Sequence, residues 1–437
     1  MLNRFVSFYS NASYTYDDKY VLSGSIRWDR SNLWGTNSKY QNKPLWSVGG
    51  SWNIYKEKFF QADFVDMLKL RASYGIGGNI GRNTAPYLIA SYYDSSLVDG
   101  MAGSVNTPPN KDIRWEKTTT VNVGVDFALF RHRLSGTIEY YNKYSVDLLA
   151  AINGSPTQGF GYTTLMTNNG KMVNRGVEIT LSGEIIRQKD FSWNASLLYA
   201  FNRNKVKHIS VQPSLWDSRI SMPTSYPMVG KPLYGIYAYK WAGLNENGDP
   251  QVYDAENNVT SGPARDYHAL VYCGTTVPIH NASLTNVLRY KGFEFSAMLI
   301  LDAGHKLRSS NIPSINMSNG RITSTAKGIV DRWTQPGDVT DVPRLLFSND
   351  TENFNTHRTE LYRYSDLFVY DASNIRLSNI SLAYRVPAHW CKKISLSGAR
   401  LQFNVENVAT FAFDSKANYD LGGKVKPNYV WGLYLNF

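Results

Sequence analysis

The feature that most constrains this chain is a recurrent alternation of apolar and polar residues with a period of two. In "NRGVEITLSGEI", Val177, Ile179 and Leu181 fall on one side, and Glu178 and Glu184 on the other. Successive side chains of a β-strand leave opposite faces, so this segment is predicted to be a half-buried strand. A soluble sandwich with its acids in water gives this pattern, and so does a membrane barrel with its acids in the lumen.

The rest of the chain favours the barrel. The alternation recurs at residues 20–28, 68–74, 121–129, 191–202 and 401–406. Short connections, "YDDK", "RHR", "RQKD" and "YKG", alternate with long ones rich in Gly, Asn, Ser and Pro, which span roughly 77–113, 150–170, 208–231 and 303–370. Short turns at one end and long loops at the other are typical of outer-membrane barrels. The predicted fold class is therefore all-β, a transmembrane antiparallel β-barrel with short periplasmic turns and long extracellular loops.

Strand direction gives a count. About fourteen strands are identifiable, and about 14–15 are expected in all, because the first and the last strand must run the same way, which requires an odd number. We therefore predict one weakly patterned extra strand between Trp241 and Ala282, around Tyr267 to Cys273.

Composition agrees with an interface between lipid and water. The chain of 437 residues is 43% hydrophobic and contains 30 Tyr and 11 Trp, the residues of membrane aromatic girdles. No apolar run is long enough for a transmembrane helix. The formal charge is +11, but the basic residues are scattered singly, so no nucleic-acid partner is expected.

Motifs for chemistry or metals are not found. The cysteines are Cys273 and Cys391, without a CxxC spacing, and the seven histidines lack the HExxH spacing and a neighbouring GxSxG serine. His357 and Glu360 are interpreted as a solvated loop pair rather than a hydrolase dyad. The acidic stretch "LNENGDPQVYDAEN" from Leu244 departs from a calcium loop and is interpreted as a polar turn. No enzymatic activity, cofactor or metal is expected.

The last strand, "YVWGLYLNF", alternates and ends on Phe437. Such an ending resembles the aromatic-terminated signal by which the barrel assembly machinery selects its substrates. Gly432, Leu435 and Phe437 fit that signal, whereas Val430 stands where a polar residue is common, and an ordinary last strand of a β-fold is the alternative.

Several ordered stretches resemble the C-terminal half of SusC/RagA-type TonB-dependent outer-membrane transporters. The stretches are "LKLRASYGIGGN", "RWEKTTTVNVGVDFALF", "NNGKMVNRGVEITLSGEI", "GKPLYGIYAYKWAGLNENGDP", "RYKGFEFSAML" and "YDASNIRLSNISLAYRVP". The resemblance implies a barrel of 22 strands around a plug, in the outer membrane of a Gram-negative bacterium. It also implies import of oligosaccharides or peptides, a SusD-like surface lipoprotein as partner, and energy from the TonB complex.

Residues 1–437 are expected to be the C-terminal part of such a receptor barrel. The signal peptide, the carboxypeptidase-like N-terminal domain and the plug are expected to be absent from this chain, so TonB would act through a missing N-terminal part. Outer-membrane lipid and lipopolysaccharide are the remaining expected partners.

Substrate contacts are expected from aromatic rings and amides of the long loops, because sugars stack on rings and need many hydrogen-bond donors. The candidates are Tyr87, Tyr92, Tyr93, Trp216, Trp333, Asn353 and Asn355. On the lumen side, Glu178, Glu184, Arg400 and Glu406 are candidates for contact with a plug or ions.

Three alternatives remain open from the sequence. A complete passive channel of about 14 strands would explain the strand count without a missing part. A barrel-borne hydrolase requires loop acids and bases within hydrogen-bond reach, and a soluble adhesin-like sandwich predicts solubility without detergent.

Overall fold

A computed structural model describes most of the chain. The described residues are 4–32, 35, 37, 43–79, 81, 86–96, 100–153, 157, 164–211, 218–262, 264, 266–317, 325–347, 356–422 and 426–437. They form two compact units, the first made of residues 1–212, 228–232 and 283–291, and the second of residues 213–227, 233–282 and 292–437. No helix among the described residues is long and apolar enough to cross a membrane.

Strands dominate both units. In chain order they are β1 (Phe5–Tyr16), β2 (Tyr20–Ser31), β3 (Leu45–Asn53), β4 (Val65–Asn79), β5 (Ile89–Ser95), β6 (Gly100–Thr107), β7 (Glu116–Leu129), β8 (Leu134–Asn153), β9 (Thr164–Arg187), β10 (Phe191–His208), β11 (Gly235–Tyr239), β12 (Trp241–Leu244), β13 (Pro250–Tyr253), β14 (Val259–Thr260), β15 (Leu270–Thr275), β16 (His280–Tyr290), β17 (Phe293–Ala303), β18 (Lys306–Arg308), β19 (Asn316–Met317), β20 (Leu346–Phe347), β21 (Val369–Asp371), β22 (Asn374–Arg385), β23 (Gly398–Ala412) and β24 (Asn428–Asn436).

Helices are short. Among the residues that the structure describes, the α-helices are Ser218–Ser221, Thr356–Arg363, Ala388–Lys392 and Asn418–Leu421. The 3₁₀ turns are Ile54–Lys56, Tyr267–Ala269, Lys327–Asp331, Asp366–Phe368 and Ser415–Ala417.

The long strands follow one another in a meander. In the first unit the order is β1-β2-β3-β4-β7-β8-β9-β10-β16, and in the second it is β17-β22-β23-β24. Neighbours from β1 to β10, and from β17 to β24, are antiparallel. Several strands exceed the roughly 9–11 residues that cross a bilayer, the longest being β9 with 24 residues.

Strand register in the first unit aligns the apolar residues on one face. One row runs through Leu70, Val125, Ile138, Ile179 and Tyr199, each directly opposite the next. The adjacent row of the same face is Ala72, Val123, Tyr140, Val177 and Phe201. A one-residue slip of any strand would move its apolar set to the other face, so this pattern fixes the register.

The short turns and most long connections match the prediction, but the alternation in length is not strict. β8 and β9 extend into the predicted loop 150–170, and the connections 54–64 and 386–397 are long although they lie where short turns are expected. Short turns join β1 to β2, β7 to β8, and β9 to β10, whereas long segments join β2 to β3 and β4 to β7. In the first turn Asp17 and Asp18 both have positive φ, 50° and 51°. Two left-handed residues give the type I′ geometry whose twist matches a tight antiparallel hairpin.

The long connections carry small sheets of their own. These are β5 with β6, β11 with β15, β12 with β13 and β14, β18 with β21, and the parallel pair β19 with β20. In the second unit the connections enclose a core of Ile315, Tyr362 and Phe368, with the two rings edge to face at 4.9 Å.

The structure corrects two expectations about the strands. The described residues contain thirteen long meander strands, an odd number as required, but fewer than the expected fourteen or fifteen. The predicted extra strand exists as β15, close to the expected position, but it pairs with β11 in a separate two-stranded sheet. All five residues of β11 are buried, so this pair is part of the loop core rather than a half-exposed wall.

Candidate functional site

The polar face of the first unit carries a cluster of charged side chains at its centre. Arg71 on β4 donates from Nε to both carboxylate oxygens of Asp126 on β7, at 3.1 and 3.2 Å, and from Nη2 to Glu139 on β8. Asn122 donates to the second oxygen of Glu139 at 3.3 Å, and Thr137 donates to Asp126 at 3.0 Å. One cation therefore holds two carboxylates from two other strands.

A glycine makes room for this arginine. The Cβ of any other residue at position 124 would lie 3.0 Å from the Arg71 Cζ atom. Gly124 stands directly opposite both Arg71 and Glu139 in the register. The guanidinium therefore lies flat against the sheet between the acids, where its planar donors can serve both.

The charged cluster was not among the residues predicted for the site. Arg71 lies on the polar side of an alternating strand, which was the available signal. Its partners lie 55 and 68 residues further along the chain, and only the strand register brings them together.

The four predicted lumen residues have separate surroundings. Arg400 pairs with Glu294 at 3.1 Å, and Glu184 lies 3.4 Å from Arg187. Glu178 stands opposite Glu139, whereas Glu406 stands opposite Asn379 and Asn428. Glu178 thus lies next to the Arg71 cluster, and the prediction that these residues contact a plug or ions stays a prediction.

Three of the predicted loop aromatics are available for contact. Tyr87, Tyr92 and Tyr93 have 60%, 71% and 53% of their surface exposed. Tyr92 and Tyr93 belong to the β5–β6 hairpin, where Tyr92 lies opposite Gly103. The hairpin rises from the connection between β4 and β7, the two strands that carry Arg71 and Asp126.

The other four predicted loop residues are not seen as exposed rings. Trp333 packs its ring against Gly248, a position with φ of +73° where a Cβ would lie 2.4 Å from the indole, so this tryptophan supports a turn. Trp216, Asn353 and Asn355 lie outside the described residues. The role of all seven candidates in substrate binding stays a prediction.

The acidic stretch from Leu244 forms a hairpin turn. Asn245 accepts hydrogen bonds from the backbone N–H groups of Asn247 and Asp249 at 3.0 and 2.9 Å. The Asp249 carboxylate is occupied by Arg344 at 2.7 Å and by Arg358 at 3.1 Å. In the described part of the chain no three His, Cys, Asp or Glu side chains are grouped as metal ligands.

Arg358 is the most buried charge of this loop region. Its side chain is 3% exposed, and it also donates to the carbonyl oxygens of Ile315 at 3.0 Å and Arg344 at 2.7 Å. Burial lowers the pKa of this guanidinium, and Asp249 opposes that effect. These contacts connect the helix of Arg358 with three other segments of the long connections, at Asp249, Ile315 and Arg344.

His357 and Glu360 are paired, with the imidazole Nδ1 and a carboxylate oxygen 3.0 Å apart. Both belong to the helix Thr356–Arg363, three residues apart, so the contact is an ordinary side-chain pair on one helix face.

The terminal strand has the predicted alternation. β24 pairs with β23 along its length, with Gly432 opposite Gln402 and Leu435 opposite Ala399. Trp431 packs on Phe403 at 4.2 Å, and Phe437 is 92% exposed. Whether Gly432, Leu435 and Phe437 act as an assembly signal stays a prediction.

Comparison with known proteins agrees with this arrangement. A family model described as TonB dependent receptor-like, beta-barrel, matches residues 3–408. TonB-dependent receptor P3 of Formosa agariphila is 27% identical over 456 residues, covering 98% of this chain and 43% of the relative. TonB-dependent receptor SusC of Bacteroides thetaiotaomicron is 25% identical, covering 93% of this chain and 40% of the relative.

Solved structures share the fold. The structure of the RagAB peptide transporter matches 100% of this chain and 48% of that chain, with a TM-score of 0.80 and 23% identity. The chain thus spans less than half the length of the relatives it matches. It belongs to the TonB-dependent receptor-like β-barrel family and is an outer-membrane protein.

Proposed function

We propose that this chain is the C-terminal barrel portion of an active importer of oligosaccharides or peptides. The observation that carries the proposal is the pairing of two unlike faces on strands of membrane-spanning length. One face is a continuous apolar surface, and the other holds the Arg71 cluster. An apolar outside and a charged inside are what a barrel with an aqueous interior requires.

In this proposal the faces and loops have separate tasks. The polar face borders the interior, and the exposed rings of Tyr87, Tyr92 and Tyr93 contact the substrate before it enters. Rings of this kind suit sugars and peptide side chains alike. The relative named RagAB is a peptide transporter, which supports peptides as one of the two substrate classes.

The remaining parts of the importer are proposed to lie outside this chain. A plug closes the barrel, the TonB complex supplies energy through the N-terminal part, and a SusD-like lipoprotein covers the extracellular opening. Import requires binding and displacement but no covalent step, so we propose no enzymatic role for His357 or Glu360. The relatives of this chain are named as receptors and transporters.

Uptake measurements test the function. The gene is deleted in its host, and uptake of labelled oligosaccharide and peptide pools is measured before and after complementation with the full protein. We expect loss of one substrate class on deletion, recovery on complementation, and renewed loss when the proton-motive force is collapsed. Uptake that persists without energy would instead support the passive channel, and conversion of substrate by the purified protein would support a hydrolase.

Loop variants test the site. We expect Tyr92→Ala combined with Tyr93→Ala to reduce uptake, because one or two stacking contacts contribute about 1–3 kcal/mol of binding. Tyr14→Ala is the matched control, since Tyr14 is equally exposed but lies on the apolar face of β1 and β2. Equal uptake by both variants would exclude the hairpin as a contact surface.

Assembly and partners have their own tests. Phe437→Ala should lower the amount of protein in the outer membrane if Gly432, Leu435 and Phe437 are read by the barrel assembly machinery. Co-purification of the full protein in mild detergent should retain a SusD-like lipoprotein. An unchanged protein level, or a complex without any lipoprotein, would contradict the corresponding part of the proposal.

A further inference from the structure

A buried arginine without a carboxylate partner lies in the long connections of the second unit. Arg219 belongs to the helix Ser218–Ser221 and is 7% exposed. Its Nε donates to the carbonyl oxygen of Tyr226 at 3.4 Å, which is long for a hydrogen bond. Within the described part of the chain, Arg219 forms no ion pair, and its terminal nitrogens donate to no protein acceptor. Buried guanidinium groups in proteins normally have such partners.

Two tyrosine rings flank the guanidinium. The Arg219 Cζ atom lies 4.8 Å from the centre of the Tyr267 ring and 5.9 Å from the centre of the Tyr237 ring. Tyr237 is 1% exposed and lies on β11, whereas Tyr267 is half-buried in the 3₁₀ turn Tyr267–Ala269. The ring faces attract the cation through their π electrons. They position the guanidinium without supplying the oxygen acceptors that its N–H groups require.

The acid next to this turn is engaged elsewhere. Asp266 accepts a hydrogen bond from the backbone N–H of His268 at 2.8 Å, and its carboxylate lies 2.7 Å from the imidazole Nδ1 of the same residue. These hydrogen bonds lower the pKa of Asp266. Burial lowers the pKa of Arg219, and no carboxylate of the described residues opposes that effect. The positive charge of Arg219 is therefore uncompensated within this part of the chain.

Two other arginines of the long connections have the acceptors that Arg219 lacks. Arg358 pairs with Asp249 at 3.1 Å. Arg308 donates to three backbone carbonyl oxygens at 2.7–3.2 Å. Both act as supports inside the loop core. Arg219 is as deeply placed but keeps its donors for an acceptor from outside the described residues.

We propose that Arg219 binds a carboxylate of the imported substrate. A guanidinium presents parallel N–H donors, which a carboxylate matches with its two oxygens. Free peptides carry this group at the C-terminus, and acidic oligosaccharides carry it on uronic acid rings. Arg219 lies one ring below the surface, since Tyr267 is half-buried and its neighbours Asp266 and His268 are exposed. The inference rests on the proposed import, and it adds the acidic group by which the substrate is held.

Binding to the purified full-length protein in detergent micelles tests the proposal. The probes are N-acetylated pools of neutral tetrapeptides with a free or an amidated C-terminus, and trigalacturonate with free or methyl-esterified carboxyl groups. Bound copies are counted by native mass spectrometry across a titration. We expect one of the two acids to bind, and its neutral form to bind about 10- to 100-fold more weakly, because a charge-assisted hydrogen bond is lost. The acid that binds identifies the source of the carboxylate.

Variants assign this binding to Arg219. Arg219→Met should weaken binding of the acid by about 10- to 100-fold and leave the neutral form unchanged. Arg219→Lys should give an intermediate loss, since the charge remains but the paired donors do not. Arg332→Met is the matched control, because it removes an exposed arginine of the same unit, and it should bind as wild type does.

Stability separates a ligand site from a support. Arg219→Met removes a buried charge without a carboxylate partner in the described residues, so the unfolding midpoint in guanidinium chloride should equal or exceed that of wild type. Arg358→Met should lower the midpoint, because Asp249 loses a partner. A decrease for Arg219→Met as large as that for Arg358→Met would overturn the proposal, since Arg219 would then be a structural residue.

The remaining outcomes also decide the question. Equal binding of an acid and its neutral form, binding of neither acid, or unchanged acid binding by Arg219→Met would overturn the inference. Uptake in the host keeps it distinct from the proposed function. Energy-dependent uptake of the acid that is unchanged in Arg219→Met would refute this inference alone, whereas its absence in wild type would refute the import itself.

Discussion

Replacement of Arg71 by Met should destabilise the barrel through the two acids that it leaves behind. The guanidinium makes three hydrogen bonds, two to Asp126 and one to Glu139. A hydrogen bond between charged groups contributes about 1.5–3 kcal/mol. The three side chains are 31%, 21% and 22% exposed, so water screens part of the interaction.

We therefore expect a loss of about 2–4 kcal/mol in the free energy of unfolding for Arg71→Met, below the roughly 3–5 kcal/mol of a fully buried pair. Much of this loss comes from unpaired carboxylates. Glu139→Gln removes one of them, so the double variant should be more stable than the sum of the two single changes predicts. Gly124→Ala should cost less than Arg71→Met, because it shifts the guanidinium slightly but leaves its charge beside the two acids.

The assay is a guanidinium chloride titration of the full protein in detergent micelles, followed by tryptophan fluorescence and by the mobility of unboiled samples in gels. Arg175→Met is the control, since its guanidinium donates to the neutral Asn142 at 3.1 Å. Additive losses from Arg71→Met and Glu139→Gln would refute the coupling of the two residues. So would a loss for Arg71→Met no larger than that of the control.

Three further predictions concern packing, loop support and thiol reactivity. Gly176→Ala should lower the unfolding midpoint in the same titration, because its Cβ would lie 2.5 Å from a backbone carbonyl oxygen of β10. Gly77→Ala is the control and should be tolerated, because the nearest atom to its Cβ would be 4.0 Å away. Arg358→Met should speed proteolysis of the long connections, because Asp249 loses one of its two arginine partners. Arg332→Met is the control, since Arg332 is exposed, and equal cleavage rates for the two variants would contradict this reasoning. Burial raises the pKa of the Cys273 thiol to about 11 from an ordinary value of 9.0, so the folded protein should contain about 100-fold less thiolate at pH 8. Iodoacetamide should then label Cys273 far more slowly in folded than in denatured protein, and equal rates would show that the thiol is not buried.

Local alternation predicted the long strands and their faces well. Val177, Ile179 and Leu181 lie on the apolar face, as the sequence indicates, because side-chain direction in a strand depends only on position along the chain. The short turns were also predictable, since Asp17 and Asp18 suit a tight hairpin.

The long connections were less predictable. The segment near Tyr267 was expected to add a wall strand, but β15 pairs with β11 inside a loop core. A short apolar strand has the same local pattern in a wall and in a small buried sheet, and only its pairing partner distinguishes them. The packing of the Trp333 ring against Gly248 was not predictable either, because Gly248 lies far from Trp333 in the chain, and its role as a substrate contact stays a prediction.

The sequence by itself determined that this chain forms half-apolar strands, where they turn, and which family they resemble, because alternation and turn chemistry are local properties. Tertiary structure alone decided which charges meet. Arg71, Asp126 and Glu139 come together because the register of β4, β7 and β8 sets them side by side. Register depends on pairing between distant segments, and no single strand contains that information.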